Sequence, residues 1–182
     1  MNDQQRKLAS LLNEIFPEDS WDDGVEQTAN RVLRYWKEVE PKQKLPFVFT
    51  SFPAVSSQLI FVRDIEFSSL CSHHLLPFFG HVHIAYVPDK MQVGLSKIPR
   101  LVDFWAHRPQ VQERLTQQIA DDLVVKLKPL GVMVIIEAVH TCMTSRGIRK
   151  HQGSMTTSVA LGVFIDDSKH ARQEFLSLLR RA

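Results

Sequence analysis

The sequence is poor in cysteine and has no long apolar run. Only two cysteines, Cys71 and Cys142, occur among 182 residues. No secretory signal and no uncharged apolar stretch of about 18 residues is present, which predicts a cytoplasmic protein without a membrane partner. Lysine and arginine number 22 against 20 aspartate and glutamate residues, an excess too small for a protein that coats nucleic acid. Two cysteines without an export signal indicate metal binding or catalysis rather than a disulfide.

The hydrophobic periodicity predicts an α+β fold with a largely antiparallel sheet. Apolar residues make up 44% of the chain and charged residues 23%, as in ordinary globular proteins. We expect an N-terminal helical region over residues 1–45 and one main domain over 46–182. The predicted elements are helices over 3–16 and 24–39, a linker over 41–53, strands over 57–67 and 78–88, a helical stretch over 97–127 broken at Pro109, strands over 131–142 and 156–166, and a helix over 168–181.

Two short clusters of cysteine and histidine carry ligands for a soft metal ion. The first is Cys71-Ser72-His73-His74, and the second is His140-Thr141-Cys142 at the end of a predicted strand, where alternation sends His140 and Cys142 to one face. Two thiolates and one imidazole form a three-ligand zinc site with a fourth position for water. The alternatives are a closed site completed by His73 or His140, or two cysteines buried as small apolar residues.

Basic and polar residues between these clusters are candidates for anion binding. Ser96, Lys97 and Arg100 begin a predicted helix, where backbone N–H groups and positive side chains suit a phosphate group, and Arg146 follows Cys142 by one short turn. Each of these alone is typical of a solvated surface charge. Together with a metal ion they indicate a polyphosphate substrate.

A glutamine and a glutamate begin the second half of the long helical stretch. Gln112 and Glu113 stand in a polar run and are compatible with a solvated helix face. A carboxylate also accepts two parallel hydrogen bonds from neighbouring N–H groups, as guanine presents them at N1 and its exocyclic amine. The sequence leaves both interpretations open.

Three segments of the chain resemble the GTP cyclohydrolase I family, a family of zinc hydrolases that act on cyclic amidine C–N bonds. They extend from about Val62 to Phe164 and contain CSHHLLPFFGHVHIAYVPDK, VGLSKIPRLVDFWAHRPQVQERLTQQIADDL and EAVHTCMTSRGIRKHQGSMTTSVALGVF. A weaker match upstream, TANRVLRYWKE, is similar to the family's helix that supplies arginine to a neighbouring subunit. The resemblance implies the tunnelling fold, with antiparallel sheets and helices packed on one side.

The resemblance also implies a role for each matching residue. Cys71, His74 and Cys142 would bind one zinc ion per subunit, which leaves His73 and His140 as catalytic residues. The implied substrate residues are Glu113 with Gln112 at the guanine edge, Ser96 near the ribose, Lys97, Arg100 and Arg146 at the triphosphate, and Arg31 and Arg34 from a neighbouring subunit. The implied reaction converts GTP to 7,8-dihydroneopterin triphosphate and formate in pterin, folate or 7-deazaguanine biosynthesis, within a homodecamer whose active sites lie between subunits.

Two positions depart from the family's pattern. Ser72 stands where the family has glutamate beside the metal ligands, which puts turnover or guanine contacts in doubt, and Gln27-Thr28-Ala29 replaces Asp-Thr-Pro before the arginine helix. The serine makes a rival hypothesis conceivable, a non-catalytic zinc-stabilised homologue that binds purine nucleotide. A second rival, a nitrile reductase with a cysteine nucleophile, needs a free thiol that zinc binding would remove.

Overall fold

The computed structural model describes residues 1–40, 48–166 and 170–180, which belong to two compact units. The first unit comprises Met1–Glu40 and the second Pro41–Ala182. The domain boundary expected between residues 45 and 46 lies outside the described residues. No helix in the described part of the chain is long and apolar enough to span a membrane.

The N-terminal unit consists of two amphipathic helices, α1 (Asp3–Ile15) and α2 (Val25–Glu38), joined through a short 3-10 turn at Glu18–Ser20. The side chain of Asn2 accepts a hydrogen bond from the Gln5 backbone, and the Gln5 side chain accepts one from the Asn2 backbone, so that two free N–H groups of α1 are satisfied. Ala9 and Ala29 are buried in its small core. Both predicted helices are confirmed within one residue at each end.

The described strands of the second unit are β1 (Ser51–Pro53), β2 (Ile60–Cys71), β3 (Pro77–Val87), β4 (Met91–Val93), β5 (Pro109–Gln110), β6 (Gly131–His140) and β7 (Met155–Gly162). Five of them form one sheet in the order β5-β2-β3-β6-β7. The pairs β2–β3, β3–β6 and β6–β7 are antiparallel, and the two-residue strand β5 runs parallel to β2. A separate two-stranded ladder joins β1 to β4.

The predicted linker over 41–53 is wrong at its end, because Ser51–Pro53 forms β1. Its partner β4 lies about 40 positions further along the chain, and a pairing over that distance leaves no local pattern in a segment punctuated by proline. Residues 41–47 of this prediction lie outside the described residues.

Helices cover the sheet mainly on one face, as the α+β prediction requires. α3 (Lys97–Ala106) and α4 (Gln112–Leu127) flank Pro109, where the helical stretch was expected to break. Their buried residues pack with Val82, Ile84 and Tyr86 of β3 in the main core. The C-terminal helix α6 (Ala171–Arg180) packs on the opposite face, where Phe175 contacts the cluster that contains Ala85. Alternation along β3 separates these two cores.

One edge of the sheet brings distant parts of the chain together. β2 ends at Cys71 close to where β3 begins, since Leu70 pairs with Pro77. β6 ends on the same edge, because Phe78 of β3 pairs with His140. The short helix α5 (Thr141–Thr144) follows directly. The strand predicted over 131–142 therefore ends two residues early, and the expected alternation of His140 and Cys142 along a strand is wrong.

Candidate active site

A tight turn after β2 brings the first cysteine and two histidines together. The Cys71 carbonyl accepts hydrogen bonds from the backbone N–H of His74 (3.3 Å) and of Leu75 (2.8 Å). Leu75 adopts a positive φ of 53°, and the Cys71 N–H returns to the Leu76 carbonyl at 2.8 Å. The turn places the Nδ1 atoms of His73 and His74 3.9 Å and 3.8 Å from the Cys71 sulfur.

The second cysteine reaches the same point from the end of β6. Cys142 lies in α5, which is held against β3 by a 2.6 Å hydrogen bond from the Thr141 hydroxyl to the Pro77 carbonyl. The ligand atoms of Cys71, His74 and Cys142 all lie within 4.8 Å of one another. Within the described residues, no other group of three histidine, cysteine or acidic side chains is as close.

This donor set fits a zinc ion. In tetrahedral geometry, bonds of about 2.3 Å to sulfur and 2.0 Å to nitrogen place the ligand atoms about 3.5–3.8 Å apart, and the separation between Cys71 and His74 is already 3.8 Å. Burial and the neighbouring Cys71 sulfur raise the pKa of the Cys142 thiol, and a bound cation would reverse that shift by stabilising the thiolates. Three protein ligands leave one coordination position open.

His140 lies between an aromatic ring and an amide. Its ring stacks on Phe78, with centroids 4.6 Å apart and planes inclined by 7°, because the two residues are register partners on β3 and β6. Its Nε2 lies 2.8 Å from Oε1 of Gln112. Burial lowers the pKa of His140, and the negative charge of Glu113 acts in the opposite direction. The ring is therefore fixed in position and mainly neutral at pH 7.

Gln112 and Glu113, the two polar residues at the start of α4, have different surroundings. The Gln112 side chain is 1% exposed and bonded on all sides within the protein, so a solvated helix face does not describe it. Glu113 is exposed and lies close enough to His140 to raise the pKa of the histidine against the effect of burial. Glu113 is thus free to meet a ligand, whereas Gln112 is engaged.

The basic candidates lie at two exposed helix ends. Ser96 immediately precedes α3, its side chain forms no capping bond, and Lys97 and Arg100 lie in the first turn. Within the described residues, no hydrogen bond or ion pair joins these three side chains to the metal-ligand cluster. The exposed Arg146 follows α5, and its charge lowers the pKa of Cys142 against the dominant effect of burial, which places a positive charge beside the cysteines.

Arg31 and Arg34 belong to the N-terminal unit, in which both are exposed. Arg31 forms a two-pronged ion pair with Asp23, one arm of which measures 3.0 Å. The hydrogen bond from Arg31 lowers the pKa of Asp23, and the carboxylate raises the pKa of Arg31. A phosphate group that binds Arg31 must therefore compete with Asp23.

Sequence reasoning missed one residue that contacts His140 and two that surround Gln112. Phe78 stacks on the His140 ring, and the hydroxyl groups of Thr116 and Thr157 form hydrogen bonds around Gln112. The sequence signal was the pairing of the predicted strands, because a correct register of β3 against β6 places Phe78 opposite His140.

Comparisons with known proteins agree along almost the whole chain. The family model described as GTP cyclohydrolase I matches residues 4–180. Proteins named GTP cyclohydrolase 1 are similar to it: one from Sulfurihydrogenibium sp. is 48% identical over 93% of this chain and 90% of its own length, and one from Aquifex aeolicus is 47% identical over 96% and 95%. One from Campylobacter lari is 45% identical over 100% of this chain and 97% of its own length.

The structural comparison found a more distant likeness. A crystal structure of the archaeosine synthase QueF-Like in the apo form superposes with a TM-score of 0.46 at 16% identity, over 59% of this chain and 96% of that one.

Proposed function

The chain belongs to the GTP cyclohydrolase I family, and on that premise we propose that it hydrolyses GTP to 7,8-dihydroneopterin triphosphate and formate. The observation that carries this proposal is the cluster of Cys71, His74 and Cys142 within 4.8 Å, with His140 two residues from the second cysteine. The α+β sheet with helices on its face agrees with the family's tunnelling fold.

We propose zinc as the bound metal, one ion per subunit, held by Cys71, His74 and Cys142. When bound there, zinc acts as a Lewis acid and lowers the pKa of water toward 7, which supplies hydroxide at neutral pH. The two-sulfur, one-nitrogen donor set suits zinc better than magnesium or calcium, which prefer oxygen ligands.

His140 is the acid that opens the imidazole ring of guanine in this proposal. It donates a proton to N7 as water adds at C8, and a second hydration releases formate. The stacked, hydrogen-bonded ring has one fixed orientation, which general acid catalysis requires. His73 is exposed on the turn beside Cys71, and we assign it to proton transfers in the later ribose opening, rearrangement and reclosure.

The remaining residues hold the substrate. The carboxylate of Glu113 accepts hydrogen bonds from N1 and the exocyclic amine of guanine, and the proximity of Glu113 to His140 supports this role. Lys97, Arg100 and Arg146 bind the triphosphate, and Ser96 lies near the ribose hydroxyls. Arg31 and Arg34 would reach the triphosphate from a neighbouring subunit of a homodecamer, which also makes the active site an inter-subunit site.

The test incubates purified, metal-analysed protein with GTP and follows formate release and the fluorescent pterin that forms after oxidation. We expect both products, and we expect a chelator to abolish them. Formate without pterin would show that the ring opens and that the sugar steps fail. If zinc-loaded protein forms neither product, the result contradicts the proposal and favours a nucleotide-binding homologue. Ser72 in place of glutamate is the reason to consider such a homologue.

A further inference from the structure

The buried amide of Gln112 lies at the centre of a polar network that joins α4 to two strands. Its Nε2 lies 3.0 Å from the Ile136 carbonyl of β6, 3.0 Å from the Met155 carbonyl of β7 and 3.1 Å from the Thr157 hydroxyl. Its Oε1 lies 2.8 Å from Nε2 of His140. A side chain that is 1% exposed and has both ends engaged is poorly placed to meet a substrate.

These contacts determine which end of the amide is which. Backbone carbonyls only accept hydrogen bonds, so the amide NH2 must face Ile136 and Met155. The oxygen of Gln112 then faces His140, and because an amide oxygen also only accepts, the ring nitrogen opposite it must carry a proton. In the neutral ring the proton is therefore on Nε2, and Nδ1 keeps its lone pair.

We propose that Gln112 is a positioning residue for His140: its amide oxygen accepts a hydrogen bond from Nε2–H, which fixes the tautomer and the orientation of the ring and leaves Nδ1 as the nitrogen available to a ligand. This inference rests on the proposed role of His140 in GTP ring opening. Gln112 then acts through the histidine, and Glu113 alone contacts the guanine edge, which differs from the joint role that the family resemblance implies.

Phe78 completes the restraint. Stacking within 7° of parallel leaves a 180° turn about the Cβ–Cγ bond, which exchanges Nε2 with Cε1 and Nδ1 with Cδ2, as the main freedom of the ring. The hydrogen bond to Gln112 removes that freedom, because the alternative placement would leave a buried amide oxygen without a donor. The orientation of the acid is thus set by one residue from α4 and one from β3.

Gln112→Met tests this function, since methionine has a similar length and volume and offers no acceptor for the Nε2–H group. We expect kcat for GTP to fall by about 10- to 100-fold, part of the 10²–10⁴ that a placed acid contributes, with KM nearly unchanged. Thr116→Val is the matched control. Thr116 bonds to the Gln112 carbonyl and to Thr157 in the same network without touching His140, so its kcat should stay within about twofold of wild type while both variants lose stability.

Three outcomes would overturn the inference. A raised KM with unchanged kcat in Gln112→Met would place Gln112 on the substrate. An equal loss of kcat in Thr116→Val would show that the hydrogen-bond network, including Gln112, acts only by stabilising the fold. Nitrogen NMR of histidine-labelled wild-type protein at pH 8, with His140→Asn for assignment, should show the proton on Nε2; a proton on Nδ1 would refute the tautomer. The wild-type spectrum is recorded without turnover, so it separates this inference from failure of the proposed activity.

Discussion

Replacing Gly80 with alanine adds one methyl group that tests the close approach of β3 to β6 and the placement of His140 that depends on it. A Cβ atom placed there would lie 2.0 Å from the Glu137 carbonyl oxygen and 2.8 Å from Cα of Ala138. Carbon and oxygen in adjacent strands approach to about 3.3 Å. In Gly80→Ala, β3 and β6 must therefore separate by about 1 Å at this point, because both atoms that the methyl group meets belong to backbone.

The cost follows from the ladder hydrogen bonds. Losing about two of them at about 1 kcal/mol each, with added strain, lowers the free energy of unfolding by roughly 2–4 kcal/mol. For a chain of this size that corresponds to a fall in melting temperature of roughly 5–15 °C. Because Phe78 and His140 are paired two residues further along the same two strands, we also expect kcat for GTP to fall by about 10²-fold in protein that is still folded.

The assay is thermal unfolding followed by circular dichroism, together with formate release well below the transition. Gly94→Ala is the control, since its Cβ would be 3.6 Å from the nearest atom, the Thr50 carbonyl oxygen, and it should melt within about 2 °C of wild type. A Gly80→Ala protein that melts together with the control would refute the close approach of β3 and β6.

Three further predictions concern the metal, the arginine and a buried histidine. Cys71→Ala should lose both bound zinc and formate release, whereas His73→Ala should keep its zinc by elemental analysis; zinc retained in full by Cys71→Ala would contradict the ligand assignment. Asp23→Asn removes the competitor of Arg31, so steady-state kinetics should give a lower KM for GTP at unchanged kcat, and an unchanged KM would argue that Arg31 does not reach the triphosphate. Burial lowers the pKa of His83 from 6.5, so the unfolded chain binds more protons than the folded chain below that pH. Denaturant unfolding should therefore show that the free energy of unfolding falls as the pH drops from 7 to about 5. His83→Gln should reduce this pH dependence, and an unchanged pH dependence would refute the lowered pKa of His83.

The sequence predicted those parts of the fold that depend on local pattern. Amphipathic spacing gave α1, α2 and the pair α3 and α4 within a few residues, and alternation gave β2, β3, β6 and β7. It missed Ser51–Pro53 as a strand and extended β6 over Thr141 and Cys142. Both errors have one physical reason: the outcome is decided by partners distant in sequence, a β4 strand in one case and the Pro77 carbonyl in the other.

The candidate site could likewise be predicted from the sequence only in part. Residue chemistry and spacing predicted a site of two thiolates and one imidazole, and the family resemblance implied Cys71, His74 and Cys142 as its ligands. The structure brings the ligand atoms of these three residues together. The burial and hydrogen bonding of Gln112 could not be predicted from the residues next to it in sequence, because the four hydrogen-bond partners of its side chain belong to β6 and β7. A polar residue in a polar run is typical of a solvated helix face, and only the tertiary contacts distinguish the two cases.

The ligand cluster joins the turn after β2 to the short helix α5, which follows much later in the chain, and this would affect the biosynthesis of a metal-bound protein. During translation Cys71 and His74 leave the ribosome long before Cys142, and two ligands on one turn form at most a weak, incomplete site. A metal ion at this cluster would have all three ligands only after β6 has paired with β3 and α5 has been anchored at Pro77. Metal loading would therefore follow the pairing of β3 with β6 rather than precede it.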